Sequence, residues 1–160
     1  VKTQAPAQAP APGVVRINAL NNGLAASGLV EVLDASGAIV QSGVTGADLN
    51  VVSGAVRVRI SLSSGLAPQE QTLNVPAGGR VDQSVNFASG RFSLSISASD
   101  TSGNAKVYQG SVLLGSMGHG GQLSLPVGTY DVKVTHKGVE KWFTGVSLSE
   151  NQLRNINATF

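Results

Sequence analysis

The chain has 160 residues, of which 41% are hydrophobic and only 12% charged, with a formal net charge of +2. So few charges, about half the usual share, leave no basic field able to drive nucleic-acid binding. The apolar share argues against global disorder, and the absence of cysteine excludes disulfides, zinc–thiolate sites and cysteine nucleophiles.

Residues 1–12, VKTQAPAQAPAP, alternate Ala, Pro and Gln. Proline fixes its own φ and lacks an amide donor, so this segment is expected to be a stiff linker from an upstream domain or anchor. A second reading lays it in a groove of a neighbouring subunit, although it has no large apolar anchors. No basic region followed by an apolar stretch marks a signal peptide, so an exported protein would have lost its signal, or the chain is part of a longer one. No apolar run reaches the roughly 18 residues of a spanning helix, so no transmembrane segment is expected.

From Gly13 onward the chain reads as strands. Candidates are 14–20, 29–33, 38–42, 49–52, 55–62, 69–75 and 80–87, then 91–97, 105–108, 111–114, 121–125, 129–136, 141–148 and 153–160. Alternation is clearest in Val56-Arg57-Val58-Arg59-Ile60 and in Tyr130-Asp131-Val132-Lys133-Val134. Each puts apolar side chains on one face and charges on the other, as a half-buried antiparallel strand requires. Turn formers such as Asp34-Ala35-Ser36-Gly37, Pro76-Ala77-Gly78-Gly79 and Asp100-Thr101-Ser102-Gly103 separate the strands. No segment has a helical period. Short strands at such intervals predict a sandwich.

The two sets of strands are copies. Leu49, Val51, Gly54, Val56, Val58 and Ile60 recur 74 positions on as Leu123, Leu125, Gly128, Tyr130, Val132 and Val134. Gly13, Val15 and Ile17 correspond to Gly90, Phe92 and Leu94; Leu73 and Val75 to Val146 and Leu148; Phe87 to Phe160. An internal repeat sets the unit of folding. The predicted organisation is a linker over 1–12, one domain over 13–88 and a second over 89–160.

The run Leu123-Ser124-Leu125-Pro126-Val127-Gly128-Thr129-Tyr130-Asp131-Val132-Lys133-Val134 resembles the core of carboxypeptidase-regulatory-like and PEGA-type β-sandwich modules. Its partner around Gly54 does so too, with Ala55 and Val56 in place of Thr and Tyr. The unit is also similar to small repeats that follow von Willebrand A domains in bacterial surface proteins. The resemblance covers residues 13–160. It implies an all-β protein of two tandem Ig-like or transthyretin-like antiparallel β-sandwich domains. It further implies a bacterial envelope or extracellular setting, with spacer, adhesive or carbohydrate-facing roles and no shared catalytic residues.

Sites for chemistry are sparse. His119 and His136 are the only histidines and do not supply the three or four ligands of a metal site. No GxSxG elbow is present, and the nine acidic residues are scattered through turns and exposed faces. A Lys–Asn crosslink would need Lys106, Lys133, Lys137 or Lys141 opposite Asn155 or Asn157, yet the first strand of that copy offers only Arg91. No catalytic residue, metal or cofactor is expected. The candidate ligand or partner surface is Tyr130, Lys141, Trp142 and Phe143 in the second copy. Aromatic platforms bind sugars and proteins. Trp142 and Phe143 are adjacent and must point to opposite faces, so one of them is expected to cap the core.

The expected role is a non-catalytic structural or adhesive module of a bacterial cell-surface or extracellular protein, with filament formation through its β-edges. Few charges guard those edges against a protein partner or self-association. The alternative is a carbohydrate- or protein-binding appendage that uses the Trp142 region, with polysaccharide as the ligand. Residues 13–89 carry four basic and five acidic side chains, and residues 90–160 carry six and four. Any specific recognition is therefore expected in the second copy, which is basic and holds the Trp and both Tyr.

Overall fold

A computed structural model describes residues 9–160. The first eight residues of the predicted linker lie outside the described residues. The chain divides into two compact units, Val1–Asn86 and Phe87–Phe160. No helix among the described residues is long and apolar enough to cross a membrane.

The first unit contains β1 (Gly13–Asn21), β2 (Leu24–Ala26), β3 (Gly28–Leu33), β4 (Ile39–Val44), β5 (Asp48–Val51), β6 (Gly54–Leu62), β7 (Gln69–Val75) and β8 (Arg80–Phe87). One sheet has the order β4-β3-β6-β7. In the other, β1 pairs with β2, β5 and β8. The second unit contains β9 (Ser89–Ser97), β10 (Asn104–Gln109), β11 (Val112–Gly118), β12 (Gln122–Pro126), β13 (Gly128–His136), β14 (Val139–Leu148) and β15 (Leu153–Thr159). Its sheets are β11-β10-β13-β14 and β12-β9-β15.

The repeat in the sequence is a repeat in topology. β3, β4, β6 and β7 take the same order as β10, β11, β13 and β14, while β1, β5 and β8 match β9, β12 and β15. The ladders agree residue by residue. Gly13 pairs with Val51 and Val15 with Leu49, as Gly90 pairs with Leu125 and Phe92 with Leu123. Gly54 pairs with Val75 and Val56 with Leu73, as Gly128 pairs with Leu148 and Tyr130 with Val146. Positions equated by spacing alone thus occupy equivalent rungs.

Two local details were not read from the sequence. β2 follows a two-residue turn at Asn22 and Gly23, whose φ values of 52° and 77° are both positive. That is the type I′ geometry for which Asn-Gly is the favoured dipeptide. β11 runs past the predicted 111–114 to Gly118 and stays paired with β10, with a bulge between Val107 and Tyr108. Within the largely antiparallel sandwich, β15 runs parallel to β9 from Leu153 opposite Arg91 to Thr159 opposite Ser97. A parallel pair cannot be closed by a hairpin. Here the strands between them form the crossover, so the first and last strands of the unit lock against each other.

Each core lies between its two sheets. In the first unit Val15 and Ile17 of β1, Val30 of β3, and Val58 and Ile60 of β6 are fully buried. In the second, Phe92, Leu94 and Ile96 of β9 and Ile156 of β15 meet Val107, Val132, Val134 and Tyr130 of the facing sheet. Phe92 and Tyr130 stack edge to face, with centroids 5.8 Å apart and planes at 86°. This is the favoured aromatic arrangement. Phe160 packs partly buried against this core.

Candidate functional site

Alternation along β13 decides what the second unit displays. Val132 and Val134 are buried, so Lys133 between them points away from the core. On β10 the same argument turns Lys106 and Tyr108 outward, because Ala105 and Val107 are buried. Cross-strand register then assembles a row: Ser116 of β11 lies opposite Lys106, Lys106 opposite Lys133, and Lys133 opposite Trp142 of β14. Trp142 is 52% exposed, and its ring lies 5.6 Å from that of Tyr108 at a tilt of 40°. The Lys133 ammonium sits 5.7 Å from the Trp142 ring centre and 2.9 Å from Glu140. The Glu140 carboxylate raises the Lys133 pKa, keeping it a cation.

The four residues read from the sequence as one surface separate in the fold. Tyr130 is only 3% exposed, and its hydroxyl donates to the Pro126 carbonyl at 2.6 Å. Burial raises its pKa further, so it is a neutral core residue and offers no surface to a ligand. Phe143 packs half-buried against the core, leaving Trp142 to face outward. Lys141 lies opposite inward-facing Val134. Its ammonium reaches the Thr159 carbonyl and the Phe160 ring, 5.1 Å away. Trp142 instead gains Tyr108, Lys133 and Lys106. Of these, Tyr108 and Lys106 lie more than 30 positions away in the chain, and only the ladder brings them near.

The remaining polar residues hold turns. His119 Nδ1 accepts the Ile96 N–H at 2.9 Å, closing the edge of β9 beyond the end of β12. His136 is buried, with Nδ1 against the Ser102 carbonyl and Asp100 at 3.8 Å. Asp100 is paired with Lys137 at 2.5 Å and receives the Ser102 N–H at 3.0 Å. Lys137 and then Ser102 hold its carboxyl far below the ordinary carboxylate range. Lys133, Lys137 and Lys141 are thus engaged away from Asn155, which is hydrogen-bonded by Ser93. Among the described residues, no three His, Asp or Glu side chains are grouped to hold a metal.

The Asp100 pairing has a pH consequence. A carboxyl depressed by folding stabilises the native state above its unfolded pKa, about 3.9, and that contribution is lost as pH falls through the folded value. The urea midpoint of the second unit, read from Trp142 fluorescence, is therefore expected to be level near neutrality and to fall below about pH 4. Lys137→Ala should raise the Asp100 pKa toward its ordinary value in a carboxyl NMR titration and flatten the acid limb. An unmoved Asp100 titration would contradict this assignment.

In the first unit the outer faces of both sheets carry ion pairs. Arg16 and Arg80 both hold Asp48, at 2.7 and 3.0 Å, and Arg80 also holds Asp82. These arginines lower the Asp48 pKa, Arg16 foremost. Arg59 pairs with Glu31 at 2.7 Å and Arg57 with Glu70 at 2.8 Å.

The sheet edges differ in character. β4 and β11 occupy equivalent outer positions in their sheets, and their sequences, IVQSGV and VLLGSMG, contain neither charge nor proline. Ile39, Val40 and Val44 are exposed on one, and Val112, Leu113 and Leu114 on the other. The opposite edges carry charges: Glu70 on β7, and Glu140 and Lys141 on β14.

No family model matches the chain, and no curated protein matches it. Solved structures do resemble it. A Bacteroides ovatus protein provisionally described as an adhesin has 9% identity over 94% of this chain and 88% of its own, with a TM-score of 0.53. The Bacillus anthracis TIE protein has 15% identity and a TM-score of 0.44 over 94% of this chain, which spans about a third (34%) of that protein's length. A Bacteroides thetaiotaomicron protein provisionally described as polysaccharide-binding has 8% identity over 94% of this chain and 91% of its own, with a TM-score of 0.45. The likeness to the Bacteroides ovatus protein is one of fold: tandem all-β, Ig-like sandwiches.

Proposed function

We propose that the chain is a non-catalytic structural and adhesive module of a bacterial cell-surface or extracellular protein, joined to neighbouring copies through the edges of β4 and β11. One observation carries this reading. Both units leave the same strand position open, uncharged and lined with exposed apolar side chains. Such an edge offers unpaired backbone groups to an incoming strand, and proteins that stay monomeric commonly guard it with Lys or Pro. Strand addition there gains ladder hydrogen bonds and buries Val and Leu together. The ion-paired faces of the first unit suit a spacer better than a binding site. The adhesin description of the Bacteroides ovatus neighbour supports the reading, as does the resemblance to PEGA-type and carboxypeptidase-regulatory-like modules.

Light scattering and electron microscopy over a concentration series test it. The protein should form growing oligomers or filaments. A Val40→Lys, Val112→Lys double variant, with one charge on each open edge, should stay monomeric at concentrations at least tenfold higher. A wild-type chain that remains monomeric throughout would overturn the proposal.

A further inference from the structure

The two units carry the same four-residue row with different contents. In the first unit Ser42 lies opposite Glu31, Glu31 opposite Arg59, and Arg59 opposite Glu70. In the second the row reads Ser116, Lys106, Lys133, Trp142. The first row is closed by its Arg59–Glu31 ion pair. The second sets two lysines directly opposite each other, an arrangement that destabilises a sheet. Glu140 pairs with Lys133, whereas Lys106 has no anionic partner among the described residues. Beside this unbalanced pair stand the exposed Trp142 and the Tyr108 ring in contact with it.

We infer that the outer face formed by Lys106, Lys133, Tyr108 and Trp142 binds a polysaccharide bearing carboxylated sugars. The two rings supply an apolar platform for the carbon face of a sugar ring. Lys106 supplies an uncompensated cation for a uronate carboxylate, which forms a charge-assisted hydrogen bond with it. The ligand relieves the repulsion that the sheet otherwise bears. A neutral glycan would satisfy the rings and leave the lysine pair unbalanced. The face lies on β10, β13 and β14 and borders the open edge of β11, where Ser116 lies opposite Lys106 and Leu113 opposite Tyr108, so binding is read apart from assembly.

Trp142 is the single tryptophan of the chain, so its emission reports this face directly. At concentrations below the onset of assembly, titration with sodium alginate should shift or quench that emission. Dextran at equal sugar concentration should not, and raised salt should reverse the alginate effect. In native gels containing alginate, Trp142→Ala and Lys106→Gln should lose at least tenfold in affinity, whereas Arg59→Gln in the first unit should bind as the parent does. Lys106→Glu would recreate the opposite-charge pair of the first unit. It should raise the urea midpoint while abolishing alginate binding, a split that a purely structural lysine would not produce. Equal responses to alginate and dextran, no response to either, equal binding of polyglutamate, or equal loss from Arg59→Gln would each overturn the inference.

Discussion

Phe92→Ala is expected to remove most of the stability of the second unit. The ring is fully buried on β9, between the sheets, and stacks edge to face on Tyr130. Its removal leaves a cavity beside Tyr130 in a core whose strands are held by two ladders, so little collapse can fill it. Phe→Ala changes at such sites cost about 3–5 kcal/mol, set against a total of about 5–15 kcal/mol for a small domain. Urea unfolding followed by Trp142 emission should show a large fall in midpoint with an unchanged slope. Phe92→Leu should recover more than half of the loss. A fall of less than about 1 kcal/mol on Phe92→Ala would mean that this ring is not the centre of the core.

Gly90→Ala should damage the same unit through the backbone. A Cβ there would lie 2.5 Å from the Ser149 carbonyl oxygen and 2.7 Å from Leu148 Cγ. Leu148 could shift, but Ser149 follows the end of β14 and lies beside the turn to β15. Two residues further on, Asn151 donates its N–H to the Ser89 carbonyl at 2.9 Å. β9 would have to move away, with loss of ladder bonds on both its sides. Overpacking of this kind costs about 1–3 kcal/mol or more. Gly13 faces the same obstacle in the first unit, 2.4 Å from Val75 Cγ1 and 2.8 Å from the Pro76 carbonyl oxygen. Gly138→Ala is the contrasting case. It has open space around it but a φ of 81°, so the expected cost is about 1–2 kcal/mol of backbone strain. If Gly90→Ala leaves the urea midpoint unchanged, the close approach of these strands is not what the glycine serves.

The matched glycines show why much of the fold was legible. Gly13 and Gly90 recur because both copies bring the start of their first strand against the end of an equivalent strand. Val15 and Phe92 recur because both face the core opposite Leu49 and Leu123. β2 has only three residues, too few for alternation to register, although the Asn22-Gly23 dipeptide before it is a favoured hairpin turn. The site was less legible. Tyr130, Lys141, Trp142 and Phe143 are near neighbours in sequence or register, yet the pleat sends them to the core, the open side of the sandwich and the outer face.

The amino-acid pattern alone was enough for the duplication, for every strand but β2 and for the apolar faces that form each core. These follow from alternation and spacing, which are local properties of a chain whose side chains reverse direction at every residue. That β4 and β11 are open edges, and that Lys106 and Tyr108 stand beside Lys133 and Trp142, emerges only with the fold. Those facts depend on strand order and register, which the packing of whole sheets selects. In the second copy that packing left two lysines face to face beside the exposed indole.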